Sequence, residues 1–274
     1  MSVFRGIRSF SVGPIAAFVA QGVEGLRDRR STRRGPAGLA RDPATTPEPV
    51  IQVYCARCQG WRGYFGVHTW IAVKPACAKN YTIYEVTYWH LHRRGSAVAT
   101  RKRAPDQPWF GNVVKLLAER RGDDVGVLIE RIEKSIREYP FAGQYVAWPG
   151  PNSNTFVAHV ARVVPELGLD LPPTAIGKDY LGRRWASTAP SGNGFQFSVF
   201  GLFGVLLSKV EGLEVNFLGL TFGFDPFSLA LKLPLIGRLG ISRSFDLETR
   251  AADAITPSPI SDEVMRSRGV RVTL

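Results

Sequence analysis

The sequence predicts an α+β fold, an antiparallel sheet packed with helices, for a single domain at residues 50–245. Segments rich in β-branched and aromatic residues come first, helical periodicity follows, and a glycine-rich apolar region closes the domain. Apolar residues make up 45% of the 274 residues and charged residues 21%. This composition is sufficient for a hydrophobic core and excludes extended disorder over most of the chain.

A basic and partly apolar leader is predicted at residues 1–34, ahead of the domain. Arg5 and Arg8 precede the apolar stretch at residues 10–20, and an arginine cluster follows it. This stretch suits a signal-peptide core but is too short to span a bilayer, so a helix lying in the membrane interface is the alternative. We expect a location at the bacterial cell envelope or membrane, with the cytoplasm as the alternative. Residues 35–49 are rich in Pro and Gly and predict a linker.

Four strands are predicted at the start of the domain. Each is rich in β-branched and aromatic residues and is bounded by Gly, Pro or Asn. They span residues 50–57, 64–74, 81–89 and 97–103. The second and third would pair as a hairpin about the loop at residues 75–80.

Helical signals follow these strands. Asn112 is placed to cap a helix over residues 113–121, and Asp123 is placed to cap a longer helix that Pro140 ends. Apolar residues recur at near-helical spacing in the longer segment, with charged residues between them. A short strand is expected at residues 145–148.

A third helix is predicted after a rigid turn. Residues 149–155 read Pro-Gly-Pro-Asn-Ser-Asn-Thr, and an apolar helix face follows until Pro165. Pro and Gly fix the turn, and Asn and Ser are residues that commonly begin helices.

The last third of the chain has a different character. From Phe195 to Ile241 it is apolar, aromatic and punctuated by Gly, which favours packed strands and tight turns. A hairpin that dips into a membrane is the alternative. The charged residues of this region are interpreted as marking loops or exposed edges; they are Glu211, Glu214, Asp225 and Lys232. A polar tail is predicted at residues 246–274.

The chain is strongly basic, with a formal net charge of +12. Such a charge favours association with anionic partners, either nucleic acid or lipid headgroups. No motif of a nucleic-acid-binding module accompanies the basic clusters. An anionic membrane surface is therefore the preferred partner, and nucleic acid is not expected.

The three cysteines do not predict a disulfide framework, because their number is small and odd. Cys55 and Cys58 are spaced as in a zinc site, but structural zinc needs four ligands, and only Cys77 and four isolated histidines remain. We expect inert thiols, no metal site and no cofactor.

Two local patterns could carry chemistry together. His68 lies on a predicted strand and faces the same way as Trp70, and Ser153 lies at the first turn of a predicted helix. A hydroxyl there sits among unpaired N–H groups that can receive an oxyanion, and a nearby histidine can remove its proton. Each residue also has a structural interpretation, His68 as a packed strand residue and Ser153 as part of a helix cap.

Glu85 is the candidate to orient His68. A hairpin about residues 75–80 would bring Glu85 near Trp70 and His68, whereas a slip of one residue in register would turn it to the other face. Residues 178–180 either line the cleft or form a charged loop, and Asn112 either caps a helix or contacts substrate. The further candidates for the oxyanion site or the cleft are Asn152, Asn154, Asn112 and Trp70.

The longest motifs resemble a bacterial family known only as domain-of-unknown-function family number 3750. They read GVHTWIAVKPA, WFGN, WPGPNSNTFVAHVARVVPELGLDLPPTAIGKDYL, APSGNGFQFS and EGLEVNFLGL. The resemblance spans about residues 50–241 and implies no established activity.

A second resemblance is shorter. A His-bearing strand, a strand with a polar residue and a helix that opens with Asn occur in the order of the circularly permuted papain-like superfamily. That superfamily includes relatives of the NlpC peptidases and lecithin:retinol acyltransferase. His68 matches its general base, and Ser153 falls where it places a catalytic cysteine. The resemblance implies a circularly permuted papain-like core followed by the glycine-rich C-terminal β region.

Three hypotheses follow. The first is a cell-envelope hydrolase or acyltransferase acting on an amide or ester, with Ser153 as nucleophile, His68 as base, Glu85 orienting it, and the N–H groups of Ser153 and Asn154 holding the oxyanion. The second is a catalytically inactive papain-like module that binds a peptide, a cell-wall fragment or a lipid at the membrane, since a serine replaces the expected thiol. The third, ranked last, is a basic protein that binds nucleic acid.

Overall fold

The chain forms an α+β fold, as predicted, in a computed structural model that describes residues 35–240. Within that range there are three α-helices and two antiparallel sheets. The leader predicted at residues 1–34 and the tail predicted at residues 246–274 lie outside the described residues. None of the helices in residues 35–240 is long and apolar enough to cross a membrane.

The first sheet has five strands, in the spatial order β4-β3-β2-β1-β5. Its strands are β1 (Val50–Arg57), β2 (Val67–Lys74), β3 (Thr82–Val86), β4 (Val98–Lys102) and β5 (Val114–Arg121). Both faces of the central strands β1 and β2 are buried, because helices cover one face and an aromatic cluster covers the other.

Three helices accompany this sheet. They are α1 (Tyr88–Arg94), α2 (Val125–Arg137) and α3 (Ser153–Val163). Helix α3 contacts β2 and α2 contacts β1, and their apolar faces form one core cluster with both strands. Phe156 and Ile132 are fully buried in this core against Ile71. Helix α3 therefore begins beside β2, the strand that carries His68.

The other face of the first sheet holds a second cluster. The rings of Tyr54 and Trp70 stack at 5.8 Å, and Leu39 packs against this cluster. The predicted linker also contacts this side of the domain, since the Leu39 N–H donates to Asp106 Oδ2 at 2.8 Å.

The second sheet is a meander of seven strands in sequence order. Its strands are β6 (Ala186–Thr188), β7 (Phe195–Val199), β8 (Phe203–Ser208), β9 (Gly212–Phe217), β10 (Leu220–Asp225), β11 (Ala230–Leu233) and β12 (Gly237–Leu239). Strands and tight turns in this region agree with the prediction for the glycine-rich segment. Buried and exposed side chains alternate along β7 to β10.

The helix predicted at residues 113–121 is wrong. Residues 114–121 form β5, which pairs with β1 and sets Leu116 opposite Tyr54. Asn112 does not cap a helix; its side-chain amide donates to the carbonyls of Arg57 and Cys58 at 3.0 and 3.4 Å. Pairing with a buried central strand outweighs the local helix propensity of this segment.

Other predicted boundaries also change. The strand predicted at residues 81–89 ends at Val86, because the Thr87 hydroxyl accepts the His90 N–H and begins α1. No strand forms at residues 145–148. Helix α2 starts at Val125 without a side-chain cap, whereas α3 begins as predicted.

The four charged residues assigned to loops or exposed edges of the second sheet are all buried; they are Glu211, Glu214, Asp225 and Lys232. Glu211 lies in the turn between β8 and β9, as predicted, whereas the interpretation is wrong for the other three, which lie within strands. Each of the four has a hydrogen-bonding partner, as buried charges require. Alternation along the strands explains the three errors, since the apolar positions take the outward face instead.

An ionic cluster joins the second sheet to the segment that follows α3. It consists of Asp170, Lys178, Asp179, Glu214 and Lys232. The Glu214 carboxylate accepts from Lys178 and, at 2.7 Å, from Lys232, and Lys232 also donates to Asp170 at 2.6 Å. Lys178 and Asp179 are therefore structural, neither lining the pocket described below nor forming an exposed loop.

Candidate functional site

A pocket of about 470 Å³ lies where β2, α3 and the β9–β10 turn meet. Four of the predicted site residues line it, and they are His68, Asn152, Ser153 and Asn154. Most of the remaining lining is apolar. His68 and Ser153 therefore line the same cavity although they are far apart in the sequence, and Thr69, the neighbour of His68, contacts Ser153 directly.

The side chain of Glu85 holds the His68 imidazole through a contact with Nε2. The two side chains are buried, and His68 Nε2 lies 3.2 Å from Glu85 Oε2. In the β2–β3 hairpin Ile71 lies opposite Tyr84. One position further along, Glu85 comes next to Trp70, on the face of the sheet that also carries His68. This is the register in which the sequence places Glu85 near His68 and Trp70.

The charge state of Glu85 determines which nitrogen of His68 carries the proton. Burial raises the pKa of Glu85. Its hydrogen bond to His68 and the charges of His68, Arg101 and Arg103 have the opposite and larger effect, so the pKa of Glu85 lies below its ordinary value. An ionised carboxylate only accepts hydrogen bonds, so Nε2 is the protonated nitrogen. Within the described residues Nδ1 has no hydrogen-bond partner.

Two arginines support Glu85 from the sheet edge. Arg101 Nε lies 2.8 Å from Glu85 Oε1, yet Oε1 has no partner of hydrogen-bond geometry. The Arg101 contact is therefore mainly an attraction between opposite charges. Burial lowers the pKa of Arg103, and Glu85 partly offsets this effect. The charges of both arginines thus favour the ionised form of this carboxylate.

Aromatic rings fix the plane of the His68 imidazole. The ring stacks on Trp109 at 3.9 Å between centroids and 10° between planes, and on Trp70 at 5.8 Å. Trp70 is anchored in turn, because its Nε1–H donates to Pro105 O at 2.8 Å. Neither Trp70 nor Asn112 is among the residues that line the pocket.

Ser153 is the first residue of α3. Asn152 caps the helix, with its Oδ1 accepting the N–H groups of Asn154 at 2.9 Å and Thr155 at 3.2 Å. Thr155 Oγ1 accepts the Asn152 N–H in return, which completes a capping box. The Ser153 N–H has no hydrogen-bond partner among the described residues.

The Asn154 N–H is consequently occupied by the cap, and its predicted role in holding an oxyanion stays a prediction. The Ser153 N–H remains a candidate donor. The backbone N–H of Thr69 also lies at the start of α3, with its nitrogen 3.5 Å from Ser153 Oγ.

Buried amides hold the start of α3 against β2. Asn154 Nδ2 donates to Val67 O at 3.0 Å and to Ile176 O at 2.8 Å. Thr69 Oγ1 lies 3.1 Å from Ser153 O and 3.0 Å from Asn154 Oδ1. Asn152 and Asn154 thus position Ser153 next to the strand of His68, without offering free amide groups to the cavity.

Sequence reasoning missed several residues of this site. Thr69, Trp109 and Arg101 all act on Ser153, His68 or Glu85, and Cys58 lines the pocket. Arg101 belongs to a basic cluster that was visible in the sequence. Nothing in the sequence indicates that Trp109 stacks on His68, because the chain between β4 and β5 is irregular.

The cysteines are free thiols, as expected from their number. Burial raises the pKa of Cys55 and of Cys58 to about 11, which disfavours the reactive thiolate at neutral pH. Among residues 35–240, no group of three or more His, Cys, Asp and Glu side chains is placed to hold a metal ion.

Fold and site together define an α+β protein with an apolar pocket that joins a carboxylate-held histidine to a serine at a helix start. Residues 48–180 match the family model described as "Protein of unknown function (DUF3750)". This match supports the resemblance to family number 3750 from β1 to Tyr180, in the segment after α3, and does not extend over the second sheet. No significant match was found among curated proteins or among solved structures.

Proposed function

We propose that this protein is a hydrolase or acyltransferase that acts on an ester or amide through Ser153, His68 and Glu85. The observation that carries the proposal is that one pocket is lined both by a histidine held by a buried carboxylate and by a serine at a helix N-terminus. A nucleophile, a base and a group that orients the base are the parts that acyl transfer requires.

The proposed reaction begins with attack of Ser153 Oγ on the acyl carbon. The hydroxyl proton passes to His68 Nδ1, because Nε2 already carries the proton shared with Glu85. Collapse of the tetrahedral intermediate breaks the bond to the alcohol or amine, which leaves with the proton from Nδ1. Water or a second acceptor then attacks the acyl-serine, and the same nitrogen takes and returns a proton.

Charge on the intermediate would be stabilised at the start of α3. The Ser153 N–H and the positive end of the helix dipole favour an oxyanion there. The pocket wall is largely apolar, with Phe65, Trp61 and Leu220 among its residues, so we propose a substrate with an apolar group next to the reacting bond.

We include in the proposal a circularly permuted papain-like core, in which the strand with the base, the strand with the carboxylate and the helix with the nucleophile would follow one another in this order. We also keep the bacterial cell envelope as the proposed location, on the strength of the leader sequence at residues 1–34.

Fluorophosphonate labelling of the full chain tests the proposal. The wild type should form a covalent adduct that is absent from Ser153→Ala and slowed by about 100-fold or more in His68→Asn. Ser187→Ala is the control, because Ser187 lies on β6 and does not line the pocket. Equal labelling of wild type and Ser153→Ala would refute the assignment.

An inactive binding module is the second candidate function. One observation favours it, namely that the Asn154 N–H and both Asn side chains are already paired, which leaves few free donors for an oxyanion. A folded wild type that fails to label at Ser153 would support this candidate and refute the first.

A further inference from the structure

The outward side of the second sheet is an exposed apolar surface. Every outward position of β7, β8, β9 and β10 is Phe, Leu or Val. We call this surface the apolar face, and its exposed members are Phe195, Phe197, Phe203, Val205, Leu207, Leu213, Val215, Phe217, Phe222, Phe224 and Leu231. Sheets in water usually turn their apolar side chains toward the core, so this distribution requires an explanation.

The apolar face is continuous across strands. Phe197 is opposite Val205, Val205 is opposite Val215, and Val215 is opposite Phe222, so one row of apolar side chains crosses four strands. Most inward side chains are polar or charged, including Glu214 of the ionic cluster, with Leu206 and Ala230 as apolar exceptions. The sheet is therefore inverted relative to a sheet that covers a hydrophobic core.

The turns of the meander extend this apolar character beyond the strands. Phe200, Leu218, Leu229 and Leu235 have positive φ angles of 52°, 51°, 46° and 69°. A bulky residue in the left-handed region costs about 1–2 kcal/mol, and Asn or Gly fits such turns better. All four side chains are nevertheless apolar and exposed.

The charges around the sheet have one sign. Within residues 181–240 the acidic residues are Glu211, Glu214 and Asp225, and all three are buried. The exposed charged residues of the same segment are Arg183, Arg184 and Lys209. The exposed charges of the segment that carries the apolar face are therefore all positive, which complements a surface that is apolar inside and anionic at its boundary.

We propose that the apolar face binds the surface of an anionic phospholipid bilayer. The side chains of Phe, Leu and Val enter the boundary between headgroups and acyl chains, while the arginines and the lysine contact lipid phosphates. The inner strands are paired on both sides, so this contact leaves their backbone groups hydrogen-bonded within the sheet. The contact is independent of the leader and of the chemistry proposed for Ser153.

A second copy of the chain would cover the apolar face less well. Face-to-face pairing of two identical sheets would bring exposed cations of the same sign to a shared boundary, which opposes association. A bilayer containing anionic lipid supplies the opposite charge instead.

Vesicle flotation of the full chain tests the proposal. The wild type should bind phosphatidylcholine vesicles that contain phosphatidylglycerol, and binding should fall when phosphatidylglycerol is omitted or salt is raised. The double variant Val205→Glu with Val215→Glu should bind at least about tenfold more weakly, because it places two carboxylates on the apolar face. Circular dichroism and thermal melting confirm that the variant is folded.

Val127→Glu is the matched control. Val127 is 62% exposed on α2, a helix that packs against β1 and α3 of the first sheet's layer, so its variant should bind vesicles like the wild type. Unchanged vesicle binding by the double variant would overturn the proposal and assign binding to another segment. Absence of vesicle binding, with a dimer in sedimentation that Val215→Glu dissociates, would also overturn it in favour of a second copy.

Discussion

At the scale of single residues, Glu85 combines a buried position with a lowered pKa. Burial alone would favour the neutral acid, and the nearby cationic groups and His68 reverse that preference. The ionised carboxylate keeps the proton on Nε2 of His68, and the stacked tryptophans keep the ring in plane. Glu85 is therefore a positioning residue for the proposed base.

Replacing Glu85 tests this role. Glu85→Gln should slow fluorophosphonate labelling of Ser153 by about 100-fold or more, since a neutral amide neither fixes the tautomer nor stabilises imidazolium. The rate should be measured from low to high pH, because a purely structural effect would lower it equally at every pH.

Glu133→Gln is the comparison for this variant. Glu133 on α2 accepts a hydrogen bond at 2.9 Å from the hydroxyl of Tyr84, which lies next to Glu85 on β3. Neither Glu133 nor Tyr84 lines the pocket. Removal of the Glu133 carboxylate should leave the labelling rate within about twofold of the wild type. Equal slowing by both variants would show that the Glu85 effect comes from general destabilisation.

At the scale of elements, the ionic cluster attaches the second sheet to the rest of the domain. Lys178 and Lys232 are fully buried, and both depend on Glu214. Burial raises the pKa of Glu214, but the two lysines outweigh it and lower the pKa below its ordinary value. Removing the carboxylate leaves two buried ammonium groups with fewer partners.

Glu214→Gln should therefore reduce the free energy of unfolding by about 3–5 kcal/mol. Glu166→Gln is the control, because Glu166 forms an ion pair with Arg131 whose side chains are 46% and 38% exposed. An exposed pair contributes less than about 1 kcal/mol. Urea unfolding of both variants checks the difference, and similar midpoints for the two would contradict it.

The loss should also depend on pH. The pKa of Glu214 is lower in the folded protein than in the unfolded chain. The stabilisation that its carboxylate provides is therefore fully present above the unfolded-state pKa, and it is lost as the pH falls through the folded-state pKa. The gap between wild type and Glu214→Gln should narrow on acidification.

At the scale of the whole molecule, the sequence predicts locally encoded features best. The β2–β3 hairpin and the capped start of α3 follow from short segments, which is why His68, Glu85 and Ser153 could be named together. The ionic cluster could not be predicted, since Asp170 and Lys232 are 62 positions apart and join only through the meander. Strand β5 was missed for the same reason, because its partner β1 lies far earlier in the chain.

The two sheets should differ in local stability. β1 and β2 are buried on both faces, whereas β12 is a short strand at the edge of the second sheet. Amide exchange should be slowest in β1 and β2, close to the rate set by global unfolding, and fastest in β6 and β12. Uniform protection across both sheets would contradict this expectation.

Leu218 belongs both to a turn of the second sheet and to the wall of the pocket. It sits at the tip of the β9–β10 hairpin, where its carbonyl accepts the Trp148 Nε1–H at 3.0 Å, and its side chain also forms part of the pocket wall. An apolar molecule bound at the tip of this hairpin would therefore contact a residue that also lines the pocket of Ser153. Entry into the pocket from this position would expose less of its apolar surface to water than entry from solution.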